Sequence, residues 1–340
     1  VRVHNPPKRS YTSVDSYSFT GPVLYNGDRY EKLDFKKITD TPITQTVKGG
    51  WLAAIQHHFL AAAVPPPGDE VRYNASTRGQ EFVLSALGPV LESTAAMPLN
   101  YTYTLFVGPK LQDQLKAIGQ RLDLTVDYGR LTLLSQPMFL VLSFIERWVD
   151  NWGWAIILMT ALIKLAFYKL TAMSNRSMAK MRRLAPRIKA LQETYKEDRA
   201  ALSQKMMELY KREKVNPAAG CLPLVIQMPF FFAFYWVLVE SVEMRQAPFM
   251  LWINDLSSRD PFFVLPVLLG GAMYLQSRLS PAPPDPMQAR VMQIMPIVFS
   301  AMFMLFPSGL VLYWLTNTLL GILQQWRINT LVARESAAAT

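Results

Sequence analysis

Lys164 lies inside an apolar run that starts at Trp152, within the stretch TALIKLAFYKL at 160–170. A charge near mid-bilayer costs between about 3 and over 10 kcal/mol, according to how far water and snorkelling relieve it. Thr160 precedes Lys164 by four residues and Tyr168 follows by four, so the three stack on one helical face. The other polar side chains inside apolar runs are Gln227, Gln293, Thr316, Asn317 and Gln324, and Tyr313 shares a face with Asn317. No Asp or Glu falls in the interior of these runs, so no neutralising partner is at hand. Either Lys164 snorkels to the membrane edge, as Lys169 would, or the helices enclose a wet cavity whose formal charge is positive. Such a cavity is a poor path for protons or cations. It suits the attraction of acidic residues on a passing polypeptide.

Other chemistry is thinly supplied. The three histidines, His4, His57 and His58, all lie in the first half, which argues against a Ser–His protease or a zinc site among the apolar runs. His57 and His58 are adjacent, so on a helix or a strand they diverge, and ordinary polar positions are expected rather than a metal site. The single cysteine, Cys221, excludes an internal disulfide. No cofactor and no metal are expected.

The elements that must position Lys164 occupy the second half. Residues 1–150 hold 15 Lys+Arg and 14 Asp+Glu, whereas 151–340 hold 20 and 11, so a net +9 accompanies the apolar runs. That excess reads first as membrane topology, and no DNA partner is expected. Five apolar segments can be drawn: Trp152–Leu170, Cys221–Val239, Phe262–Leu275, Met292–Phe306 and Gly309–Ile322. The last three are short against the ~20 residues needed to cross ~30 Å of hydrocarbon, so local thinning of the bilayer is expected. Residues 176–214 carry 12 Lys+Arg and five acids, against two Arg and four acids in 240–261. The positive-inside rule places the first stretch in the cytoplasm and the second outside. Leu184, Ile188, Leu191 and Tyr195 line one helical face in the basic stretch, and Leu202, Met206 and Leu209 line another. These predict an amphipathic helical hairpin over 173–216, bent at Pro186. Its charges fit a solvated, lipid-facing surface or the docking of ribosomal RNA and nascent chains equally well.

Before the apolar runs, short alternating stretches such as SVDSYSFTG, VRYNAS, YTYTLFVG and LDLTVDYG predict half-buried strands and a β-sandwich. WLAAIQHHFLAAAV (51–64) fits a short helix or a buried strand. In PMFLVLSFIERWVDNWG (137–153), Phe139, Leu142, Ile145 and Val149 recur at helical spacing, which predicts a helix lying along the membrane surface. The predicted layout is a β-domain over 1–135, an interfacial helix over 136–151, a membrane core over 152–330 and a short tail over 331–340. The opening residues read like the middle of a domain, so a preceding membrane anchor is expected.

Three long motifs carry a resemblance over essentially the whole chain: NPAAGCLPLVIQMPFFFAFYWVLVESVEMRQAPFMLWINDLSSRDP, FPSGLVLYWLTNTLLGILQQW and LDLTVDYGRLTLLSQP. They are similar to the YidC family of membrane protein insertases of Gram-negative bacteria. The resemblance implies an α+β membrane protein of the inner membrane, with a periplasmic β-supersandwich and a polytopic α-helical bundle of five core transmembrane helices. It implies a groove open to cytoplasm and lipid, with Lys164 matching its positive residue, where many relatives carry Arg. Thr160 matches a groove hydroxyl, Tyr313 and Trp314 an aromatic pair, and Gln227, Gln293 and Asn317 are expected beside them. Cys221, Pro223 and Met228 fall on one client-contacting helix, and Met295 and Phe299 on the other. The implied activity is insertion and chaperoning of nascent membrane proteins, without catalysis or ATP hydrolysis. Lipid, the ribosome and the Sec translocon are the further expected partners. A transporter or channel is the competing class, against which the five segments show no internal repeat.

Overall fold

In a computed structural model of the chain, residues 2–4, 19–79, 81–90, 102–213, 215–216, 222–279 and 286–337 are described. The chain divides into two compact units: Val1–Gly129 with Val239–Glu243, and Arg130–Leu238 with Met244–Thr340.

The first unit is built from two antiparallel sheets. One has the order β1 (Arg2–His4), β8 (Glu81–Leu87), β7 (Glu70–Arg78), β4 (Ile43–Lys48). The other runs β3 (Tyr30–Lys32), β2 (Thr20–Tyr25), β5 (Trp51–Gln56), β6 (Phe59–Val64), β9 (Thr104–Pro109). Strict alternation in ITQTVK of β4 turns one face inward, as a period of two requires. Leu24 and Leu52 from one sheet meet Val71, Tyr73, Phe82 and Leu84 from the other in a shared core, which the short helix α1 (Phe35–Asp40) closes with Ile38. Gly50, at φ +76°, lies so close to the Tyr25 carbonyl that any Cβ would collide with it.

The stretch 51–64 is neither a helix nor one strand. It is the β5–β6 hairpin, paired Gln56 to Phe59, with His57 and His58 as its turn. Leu-, Ala- and Ile-rich strands bury well here, and a turn at φ +52° for His57 brings the two imidazoles together. Their rings stack at 3.6 Å and both are buried, rather than diverging. LDLTVDYG also departs from expectation. After α2 (Gln112–Ile118), residues Leu122–Thr125 form a 3-10 turn, held where Thr125 donates to the Leu122 carbonyl. SVDSYSFTG lies largely outside the described residues.

The second unit is helical. α3 (Thr132–Val149) starts earlier than sequence spacing indicated and carries Pro137 in its second turn. Met138, Phe139 and Leu142 face inward, whereas Leu140, Phe144 and Trp148 are exposed, Trp148 to 80%. α4 (Trp152–Ala166) is capped by Asn151, which accepts from the Trp154 amide. The first apolar run is therefore not one helix through Leu170. It breaks at Phe167, and α5 (Tyr168–Thr194) leaves at 69° to α4. α6 (Arg199–Arg212) folds back on α5, burying Leu184 and Ile188 against Tyr210 and Val215. α7 (Leu222–Glu240), α8 (Val264–Leu279), α9 (Pro286–Phe303) and α10 (Ser308–Ala337) complete the unit. α10 packs on α4, α5 and α8. Among the described residues no single helix is long and apolar enough to cross a membrane alone, but the bent pair Trp152–Ala166 with Tyr168–Met181 passes together.

At one end of these helices the loop between α7 and α8 is tightly tied. Asn151 donates to the Phe249 carbonyl, Ser308 N–H to that of Ser258 and Gly309 N–H to that of Leu256. The loop thus binds the start of α4 to the turn between α9 and α10.

Candidate hydrophilic groove

Lys164 occupies the last turn of α4, just before the break, and faces a cavity of about 380 Å³. α5 contributes Thr171, Asn175 and Met178 to its wall, and α7 contributes Gln227. α8 adds Met273, Gln276 and Ser277, and α9 adds Met292, Met295 and Pro296. α10 supplies Trp314, Asn317, Thr318, Gly321 and Gln325. The lining is amide, hydroxyl and thioether, with Lys164 the one formal charge and no acid among the described residues.

Three hydrogen bonds fix four side-chain amides at and beside the cavity. Asn317 Nδ2 donates to Gln227 Oε1 at 3.0 Å, joining α10 to α7. Gln325 Nε2 donates to the Leu279 carbonyl at 3.1 Å and Gln324 Nε2 to that of Tyr168 at 3.2 Å. These bonds hold the bend of α4–α5 and the end of α8 against α10, so the cavity walls are preset. Gly321 lies opposite Lys164: a Cβ there would stand 3.5 Å from Lys164 Nζ and 3.3 Å from Gln276 Nε2. A side chain at 321 would occupy the space in front of the ammonium.

The expected site residues divide. Lys164, Gln227, Met295, Trp314 and Asn317 meet around the cavity. Thr160 does not: it is 1% exposed, and its hydroxyl donates to the Ile156 carbonyl at 2.7 Å. Tyr313 is also buried, its ring 4.9 Å from that of Phe234, so the aromatic pair splits between core and cavity. Gln293 is exposed away from the wall. Phe299 stacks on Phe303, and Met228 is half-buried on α7, neither lining the cavity. Cys221 and the side chain of Pro223 lie outside what is described.

Sequence reasoning missed Thr171, Asn175, Gln276, Ser277, Thr318 and Gln325. On α10 a signal existed: positions 314, 317, 318, 321 and 325 follow one helical face. On α5 the polar groups fell inside a stretch already assigned to a basic hairpin.

A family model described as "60Kd inner membrane protein" matches residues 144–335. Another, described as "YidC periplasmic domain", matches residues 1–141. The chain belongs to the YidC family. The "Membrane protein insertase YidC" of Alkalilimnicola ehrlichii is 53% identical over 326 residues, which are 95% of this chain and 58% of that one. That of Marinobacter nauticus is 46% identical over 338 residues, 99% of this chain and 60% of the relative. The chain thus spans about 58–60% of these YidC sequences. A solved structure described as "Active YidC insertase crystal structure with the first transmembrane domain resolved" is similar with a TM-score of 0.52 at 22% identity. It covers 89% of this chain and 82% of that one, and shares the fold. The YidC names are those of insertases of the inner membrane, with a periplasmic domain.

Proposed function

We propose that the chain inserts hydrophobic segments of newly made proteins into the inner membrane through the cavity at Lys164, without catalysis or ATP. The observation that carries this is the single positive charge in an amide- and hydroxyl-lined space flanked by methionines. Water in the cavity supplies hydrogen bonds that hydrocarbon does not. Lys164 draws an acidic, hydrophilic segment of the client part-way in. Methionine, flexible and polarizable, accommodates clients of many shapes. The client's apolar neighbour passes into lipid beside α7 and α9, and its burial at about 25 cal/mol per Å² drives the step.

In this reading the sheet unit is periplasmic, the α5–α6 pair is cytoplasmic because of its basic excess, and α3 lies in the interface through Leu140, Phe144 and Trp148. Five spans then arise from α4 with the start of α5, α7, α8, α9 and α10. Ribosomes and the Sec translocon are its proposed partners besides client and lipid.

The test is insertion of a client with an acidic translocated segment into proteoliposomes. Lys164→Arg keeps the rate, whereas Lys164→Glu lowers it about tenfold, equivalent to ~1.4 kcal/mol. Full activity of Lys164→Glu would refute the electrostatic role. Solute flux without insertion would instead identify a channel.

A further inference from the structure

A second trough runs along the hairpin of α8 and α9. It lies on a different face of both helices from the Lys164 cavity, and the two linings share only Pro296. Its space is about 380 Å³. The floor is a close approach of the two helices: a Cβ at Gly270 would stand 2.8 Å from that of Ser300, whose hydroxyl donates to the Pro266 carbonyl at 2.8 Å. A Cβ at Gly271, by contrast, would meet nothing within 4 Å, so the trough is open above it. The flanks are apolar and uncovered, Val267 to 59% and Ile297 to 70%.

One end of this trough is set apart by charge. Val267, Gly271, Tyr274 and Arg278 follow at i, i+4, i+7 and i+11, which is one stripe of α8. On α9, Arg290, Ile297 and Ala301 follow at i, i+7 and i+11. The helices are antiparallel, and position 270 meets Ser300 and the Pro296 carbonyl. Eight residues on from that contact, Arg278 comes level with Arg290. Two arginines therefore mark the end of the trough beside the α8–α9 connection, whose one acid is Asp285. Arg278 is already oriented there. Its Nη2 and Nε donate to the Tyr274 hydroxyl at 2.6 and 3.2 Å, and its guanidinium lies 5.2 Å over that ring.

From Val267 to Arg278 the stripe is about 17 Å long, close to half of the ~30 Å hydrocarbon thickness. An apolar trough one leaflet deep, with guanidinium groups at its polar end, has the dimensions and charge of a phospholipid site. The arginine fork matches phosphate oxygens, and an apolar helix laid in the trough would bring no anion to that end. We propose that α8 and α9 hold one anionic phospholipid, with an acyl chain over Gly271 and the phosphate at Arg278 and Arg290. Its assignment to the cytoplasmic leaflet rests on the topology proposed above, whereas the chemistry of the site does not.

The experiment uses the full chain in phosphatidylcholine nanodiscs. Each sample carries a trace of phosphatidylglycerol or phosphatidylcholine with a photoactivatable group on its acyl chain. In the native chain the phosphatidylglycerol probe labels peptides of α8 and α9 about tenfold more than the phosphatidylcholine probe, the effect of one charge-assisted contact. Arg278→Gln/Arg290→Gln brings the first probe down to the level of the second and leaves the second unchanged. Gly271→Leu, which improves helix propensity and fills the trough, lowers both labels severalfold. Excess inorganic phosphate changes neither. Equal labelling by the two probes in the native chain overturns the proposal, as does a preference that survives the double substitution or Gly271→Leu. Displacement by inorganic phosphate would make the arginines a site for the free anion and overturn the lipid. Crosslinks between two copies through α8 and α9, with the lipid label absent, would put a second copy in the trough and overturn it too. Lys164→Glu keeps the native lipid preference while insertion falls, so failure of the insertion reading is seen separately.

Discussion

A hydroxyl inside an apolar helix can satisfy itself on its own backbone, and Thr160 does so by donating to the Ile156 carbonyl. Replacing it by valine loses about 1 kcal/mol of hydrogen bond and keeps the branched shape. Insertion by Thr160→Val is therefore expected to match the native rate in the proteoliposome assay. A tenfold loss would mean that the hydroxyl turns towards the groove in use. Gly321 makes the opposite case. Gly321→Ala puts a Cβ in ordinary contact with Lys164 Nζ and 3.3 Å from Gln276 Nε2, the far end of a flexible side chain that has to yield slightly; about 1 kcal/mol of helix propensity offsets that shift, so the protein is expected to melt at an equal or higher temperature and still insert. Gly321→Leu fills the space before the ammonium and is expected to slow insertion severalfold while the protein stays folded. Lys164 itself was legible because an unpaired charge in an apolar run stands out. The amides of Gln227 and Asn317 stood out in the same way, whereas Asn175, Gln276 and Thr318 are unremarkable in helices until tertiary packing brings six helices to one space.

Among elements, the loop between α7 and α8 shows how polar residues build a rigid cap without regular structure. Asp260, buried at the start of α8, accepts from the Trp252 indole, the Phe262 amide and the Leu265 amide at 2.7–3.0 Å. Asp260→Ala leaves these donors unmatched and is expected to cost about 2 kcal/mol, measured by denaturation in detergent. Asp260→Asn keeps two acceptor directions and costs less; equal loss in both variants would count against the cap. The turn at 306–309 before α10 was readable from FPSG. The break at Phe167 was not, because neither Pro nor Gly announces it. It is held from outside, by Gln324 on the Tyr168 carbonyl and by Phe230 against the Phe167 ring at 5.4 Å. The hairpin at 51–64 was missed for a related reason: its two histidines supply a positive-φ turn that local propensity does not favour.

At the scale of the molecule, the groove reading makes a claim about sidedness. In the proposed reading, the charge asymmetry of the loops assigns α5–α6 to the cytoplasmic side and the α7–α8 loop to the other. The cavity is walled by the start of α5 and the end of α8, which in that arrangement are the cytoplasmic ends of both helices. The opposite ends of the bundle are tied by the α7–α8 loop, through Ser308 and Gly309 to Ser258 and Leu256. Water then reaches Lys164 from one side only. With Cys221 replaced by serine, cysteines at Asn175 and Ser277 should react with a charged thiol reagent added from the cytoplasmic side. A cysteine at Leu251, a residue 78% exposed in the loop, should react only from the other side. One at Thr160 should stay unlabelled from either, because that position is packed and not part of the wall. Labelling of 175 and 277 from both sides would turn the groove into a through-channel. Protection of both from both sides would mean that no wet groove exists, and Lys164 would then have to be explained by snorkelling alone.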